Sequence, residues 1–164
     1  MRHTVIRLTL LLGLLCTLTA CGFALRGAAQ GALPFTSVQL QAAQANAAFL
    51  QQLRTTLNAN QISTINGQSP YTLRIGPEQS DTRTASVNGR ARAAQYDLQL
   101  AVEVSLERDG TALFGPQVLS AQRSYFEDIA NIAGSTEEME MLRVEMRQDL
   151  VQQLLSRLRA IGSN

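Results

Sequence analysis

The chain has 164 residues, a formal charge of +1 and 45% hydrophobic residues, which fits one domain. Its 14 basic residues are all arginine and face 13 acidic ones, so nothing indicates a polyanion-binding tail. One histidine (His3), two cysteines (Cys16 and Cys21) and no tryptophan leave little for metal, thiol or sugar-stacking chemistry.

Arg2 and Arg7 flank the start of an apolar run from Leu8 to Leu15, and the small pair Thr19-Ala20 precedes Cys21. Positive, apolar and small residues in that order have the layout of a secretory signal peptide. The run is shorter than the roughly 20 residues that span a bilayer. Leu18-Thr19-Ala20-Cys21 resembles the bacterial lipobox. That resemblance implies cleavage before Cys21 and acylation of its thiol. A single acyl chain anchors only marginally, so several chains are expected. Gly22 stands where an aspartate would resemble an inner-membrane retention signal, which points to the outer membrane.

Removing residues 1–20 takes away Arg2, Arg7, His3 and Cys16, so acidic residues then outnumber basic ones by one. Cys21 is spent on lipid, and no disulfide within the chain is possible. No soft metal ligand remains, nor any Ser-His or Cys-His pair to activate a nucleophile. Paired carboxylates can hydrolyse glycosides, but the acids here fall on surface-like positions. Catalytic residues, metal and cofactor are all expected to be absent, as is a nucleic-acid partner.

From residue 21 to Pro34 the chain is a Gly/Ala-rich tether. The segment after it alternates enough to predict a strand near 35–41. Phe49, Leu50, Leu53 and Leu57 recur at helical spacing with Asn46 as cap, which predicts a helix over about 46–59. Tyr71, Leu73 and Ile75 alternate as a second strand, interrupted by Gly76-Pro77 as a bulge or edge would be. Pairing is expected to resume near Thr82–Val87. Asn88-Gly89 is a strong hairpin signal. In the next strand Tyr96, Leu98, Leu100, Val102, Val104 and Leu106 point one way. Asp97, Gln99, Ala101, Glu103, Ser105 and Glu107 point the other. This is a strand with one dry face and one wet face. Asp109-Gly110 predicts a second hairpin turn, and a fourth strand follows with Gly115-Pro116 as its irregularity.

The last element is a long helix that the sequence starts at Ser135, with Ser135 and Glu138 as a capping box. Glu137, Glu138 and Glu140 lie toward its positive end, and Arg157 and Arg159 toward its negative end. Met139, Leu142, Met146, Leu150, Leu154, Leu158 and Ile161 form one apolar stripe. The expected fold is α+β, a two-layer sandwich in the order β-α-β-β-β-α. Two helices pack on one face of a mainly antiparallel four-stranded sheet. The other face is polar. The organisation is a signal peptide over 1–20, a lipidated tether over 21–34 and one domain over 35–162.

Several residues coincide with a known family. Cys21, Gly22, Phe23, Leu25, Arg26 and Gly27 resemble the opening of the LPS-assembly lipoprotein LptE family, although Ala24 stands where a histidine is common. Tyr96 and Leu98, the segment Arg123-Ser124-Tyr125-Phe126-Glu127-Asp128, and residues 145–158 also look like that family. The resemblance implies a non-enzymatic outer-membrane lipoprotein. It would bind the LptD β-barrel and sit largely within its lumen, and the pair would deliver lipopolysaccharide to the outer leaflet. It also implies contact with lipopolysaccharide through basic residues at two places. Arg90 and Arg92 stand at the first, near the hairpin tip. The second has Ala133-Gly134-Ser135 and no basic residue, so a two-point basic clamp is not expected. Arg83 ranks behind Arg90 and Arg92. The alternative is a lipoprotein auxiliary subunit of another envelope lipid-transport system of ABC type. A free lipid carrier would need a closed apolar cavity, whereas these patterns read more easily as a filled core.

Overall fold

A computed structural model describes residues 33–87, 93–128 and 132–162. The elements in order are β1 (Ser37–Gln41), α1 (Ala47–Ala59), β2 (Ser63–Ile65), β3 (Tyr71–Val87), β4 (Ala93–Arg108), β5 (Thr111–Asp128) and α2 (Ile132–Gly162). The strands form one sheet in the order β2-β1-β3-β4-β5. The pairs β1/β2 and β1/β3 are parallel, and β3/β4 and β4/β5 are antiparallel. The sheet is therefore five-stranded and mixed, where a four-stranded, mainly antiparallel one was expected. The added strand, β2, has only three residues, too few for any alternation to show in sequence.

Local chemistry explains how α1 starts and stops. The Asn46 side-chain oxygen accepts from the backbone N–H groups of Ala48 (2.9 Å) and Phe49 (3.2 Å), as an N-cap does. At the other end Ile62 N–H donates to Leu57 O and Gln61 N–H to Asn58 O, both at 2.9 Å. Those two bonds form a Schellman motif. Leu57 and Ile62, both buried, supply its apolar contact. Gln61 takes the left-handed position with φ of 62°.

The β3–β5 meander is built from the alternation in β4. Leu98, Leu100, Val102, Val104 and Leu106 are all buried beneath the helices. Asp109 (φ 50°) and Gly110 (φ 79°) make the two-residue turn into β5, with φ positive at both central positions as a type I′ hairpin requires. Gly115 interrupts β5, with φ of 78°. A Cβ there would stand 2.5 Å from Val104 O, so the position admits only glycine.

In α2 the core side is broader than one stripe. Met146, Leu150, Leu154 and Leu158 are buried, and so are Val151 and Leu155. Met139, Leu142 and Ile161 pack against the core's margin. The helix begins at Ile132, so Ser135 lies in its first turn, buried, and does not cap it. The capping box is overturned. The first turn carries no acidic residue, while Arg159 does sit in the last turn. Ala133 and Gly134, expected in the preceding loop, also belong to this helix.

Gly76-Pro77 does more than interrupt β3. The strand is continuous over 17 residues, with a register shift between Ile75 and Glu78. Ile75 pairs with Val104 and Glu78 with Val102, both on the helix side of β4. The extra residue thus turns a carboxylate into the core layer. There Glu78 Oε1 and Oε2 accept from Arg147 Nη2 (2.8 Å) and Nε (2.9 Å) of α2. Asn46 Nδ2 also donates to Oε1 at 3.2 Å. The side chains of Arg147 and Glu78 are only 12% and 7% exposed. The hydrogen bonds to Glu78 raise the Arg147 guanidinium above its ordinary value, against the opposing effect of burial. One carboxylate thereby joins the cap of α1, the bulge of β3 and the middle of α2.

Two stability predictions follow from these contacts. Glu78→Ala, which strands a buried guanidinium, should cost about 3–5 kcal/mol, while the double change Glu78→Leu with Arg147→Met should recover most of that loss. Urea unfolding of the four corners of this cycle checks it; an equal loss in the double variant would contradict it. Gln61→Gly should stabilise the domain by about 0.5–1 kcal/mol, because glycine takes positive φ without a Cβ clash. The reading is the urea midpoint at unchanged slope.

Candidate functional site: the open face of the sheet

Both helices lie on the side where Leu98, Leu100 and Val102 are buried, so the opposite face is formed by the alternate residues. Along β4 these are Gln95, Asp97, Gln99, Ala101, Glu103, Ser105 and Glu107, none of them buried. The wet face read from the alternation of β4 is therefore where it was expected.

Several charges on this face are engaged by neighbouring side chains. Arg74 Nε and Nη2 donate to the two carboxylate oxygens of Glu107 at 3.0 and 3.1 Å, in the bidentate geometry that suits a guanidinium. Ser124 Oγ donates to Asp97 Oδ1 at 2.6 Å across the β4/β5 pairing. Arg83 Nε donates to Asp81 Oδ2 at 2.8 Å, with both side chains largely exposed. Between these pairs lies a shallow depression lined by Gln79, Ser80, Asp81, Arg83, Gln99 and Ala101. The surface offers amide and hydroxyl groups, with two exposed apolar side chains, Val118 (59%) and Phe126 (63%), along β5.

Such a face can bind a polar surface. Among the described residues no group of three or more His, Cys, Asp or Glu side chains could hold a metal ion. Among the same residues no helix is long and apolar enough to cross a membrane.

Of the residues singled out in the sequence, Cys21, Arg90 and Arg92 lie outside the described residues. So do the signal segment, residues 21–32 of the tether and the Asn88-Gly89 turn. The strands on either side of that turn are paired up to Val87↔Ala94, so residues 88–92 connect two adjacent paired strands. Arg83 pairs in register with Asp97 on the same arm, and its guanidinium is taken up by Asp81. At the second place, where the sequence has no basic residue, Ala133–Ser135 belong to the first turn of α2. Sequence reasoning missed Arg74–Glu107 and Glu78–Arg147. The first is legible once β3 and β4 are set in register, and the second only once the bulge is counted.

Known proteins agree with this geometry. The family model LptE, described as lipopolysaccharide-assembly, matches residues 35–158. The LPS-assembly lipoprotein LptE of Yersinia pestis (strain Pestoides F) is 31% identical over 162 residues, covering 96% of this chain and 77% of the relative. The same figures hold for the protein of that name from Yersinia pseudotuberculosis serotype O:1b. Among solved structures, lipoprotein B of Nitrosomonas europaea superposes with a TM-score of 0.69 at 26% identity, covering 87% of this chain and 93% of that one. The minor lipoprotein of Acinetobacter baumannii superposes with a TM-score of 0.65 at 26% identity, covering 78% and 93%. The family model over residues 35–158 and the relatives matched over nearly the whole chain show that the chain belongs to the LPS-assembly lipoprotein LptE family.

Proposed function

We propose that this chain is an outer-membrane lipoprotein that binds and plugs the LptD β-barrel and assists lipopolysaccharide assembly. The observation that carries this reading is the open face, a wide polar sheet surface with no described element covering it. The interior of an outer-membrane barrel is polar, so a plug needs a hydrophilic surface with amide, hydroxyl and paired ionic groups. Membership of the LptE family supports the role in lipopolysaccharide assembly. Residues 1–20 act as the signal peptide, 21–34 as the tether, and 35–162 as the plugging domain. Acyl chains on Cys21 hold the protein at the periplasmic side of the membrane while the domain occupies the lumen. The role is non-enzymatic and uses no cofactor.

Direct contact with lipopolysaccharide falls to Arg90 and Arg92. In sequence they fall between the described ends of β3 (Val87) and β4 (Ala93). Guanidinium groups suit phosphate oxygens because the planar fork donates two hydrogen bonds at once. Arg83, committed to Asp81, is a weaker contributor.

Tagged protein drawn from native membranes in mild detergent should carry one large companion whose electrophoretic mobility shifts on heating, as a β-barrel's does. An ATPase companion from the inner membrane would instead support an auxiliary subunit of an export system. Arg90→Glu with Arg92→Glu should weaken lipopolysaccharide binding at low salt about tenfold, the equivalent of one charge-assisted hydrogen bond. The circular dichroism spectrum should stay unchanged, and unaltered binding by a folded variant would remove these residues from the site.

A further inference from the structure

The sheet ends in two edges, and they differ. On one side β2 has three residues. On the other β5 has 18, and no described strand pairs with its outer side. A long free edge invites pairing by another chain unless it is blocked.

The backbone shows which groups face outward. Asp109 N–H donates to Pro70 O, so the odd residues of β4 exchange bonds with β3 and its even residues with β5. In the β4/β5 register the even residues of β4 face the odd residues of β5, such as Leu98↔Arg123 and Leu100↔Ala121. The N–H and C=O groups of Val118, Ser120, Gln122, Ser124 and Phe126 therefore point away from the sheet.

Two of these carbonyls are already occupied. Gln153 of α2 reaches over the edge, and its Nε2 donates to Ser120 O at 3.0 Å. Arg123 Nη1 donates to Gln122 O at 2.9 Å. Its other nitrogen, Nη2, is held by Asp149 of α2. Nearer the start of the strand, Pro116 has no N–H to offer and the ladder is shifted.

The outer rank is also self-complementary about its middle. If β5 paired antiparallel with β5 of a second copy across a two-fold axis at Gln122, Val118 of each copy would lie opposite Phe126 of the other. Both are well exposed on the open face. Ser120 would lie opposite Ser124. The outward groups of Gln122 would exchange both hydrogen bonds with those of its counterpart.

We propose that β5 is a latent surface for self-association and that Arg123 and Gln153 keep it closed by occupying its central carbonyls. The partner that this edge fits is a second copy of the same chain, in the register Val118 to Phe126. In the closed form the edge is equally unavailable to strands of any other protein.

The test uses the full chain purified in detergent, with sedimentation equilibrium read over a concentration series. Arg123→Ala with Gln153→Ala should associate at least tenfold more tightly than the parent chain. Gln153→Ala alone should show a smaller gain. It leaves the Arg123–Asp149 pair in place, so it carries the test if the double variant fails to fold. Adding Gln122→Pro removes an outward N–H without taking a bond from β4, and should return the double variant to the parent's behaviour. Adding Phe126→Ser should weaken its association. Backbone amides at Ser120, Gln122 and Ser124 should exchange slowly with solvent in the associated form only. A folded double variant that stays monomeric would overturn the proposal. Association that Gln122→Pro leaves intact would also overturn it, because the contact would then lie elsewhere.

Discussion

Alternation along β4 is the constraint on which the rest of this structure depends. A strand exposes successive side chains to opposite sides, so one 16-residue segment specifies both what the helices cover and what remains open. Leu98, Leu100, Val102, Val104 and Leu106 require an apolar lid, and the stripes of α1 and α2 supply it. A slip of one residue would put these five side chains into water and Asp97, Glu103 and Glu107 under the helices. Burial of each large aliphatic side chain is worth roughly 1.5–3 kcal/mol, so the register is held by many small terms acting together. The polar face needs no separate explanation. It is the other half of the same pattern.

The helices are then placed by a contact of a different kind. Apolar packing tolerates sliding, but a bidentate guanidinium-carboxylate pair does not. Glu78 stands beneath both helices and ties Arg147 to the cap of α1. It reaches that position only because the bulge at Gly76-Pro77 advances the phase of β3 by one residue. At the far end of α2, Arg159 Nη2 donates to Asn60 Oδ1 at 2.8 Å, beside the last turn of α1. The long helix is thus pinned to the short one at two separated points, with the apolar stripe filling the space between them.

Much of this was legible before the structure, for physical reasons that differ by element. The alternation of β4 and the spacing of Phe49, Leu53 and Leu57 are periodic signals, and each led to the correct element. Asp109-Gly110 marked its turn because few residues accept positive φ. β2 left no trace, since three residues joined to β1 by long-range pairing have no period of their own. Ser135 and Glu138 have the spacing of a capping box, yet the helix extends a turn further back and buries Ser135. Local propensity was overruled there by tertiary context. Gly76-Pro77 announced a bulge but not its consequence, because reversing the inward face of β3 needs the partner strand's register. On the candidate site, the wet face of β4 was legible as a face. Its pairing of Arg74 with Glu107 was not, since that contact spans two strands.

The position of β1 has a consequence for how the chain assembles. β3, β4 and β5 meet through short connections, so their pairing closes small loops. β1 lies between β2 and β3 and is parallel to both, with Gln39 beside Thr72 and Ser37 beside Ser63. Each of those contacts closes a longer loop and brings little hydrogen bonding until the second neighbour arrives. The entropic cost of folding is therefore concentrated in the first half of the domain, while the second half is rich in local contacts. The meander is the part that can form first, and the completed sheet waits on the insertion of a five-residue strand.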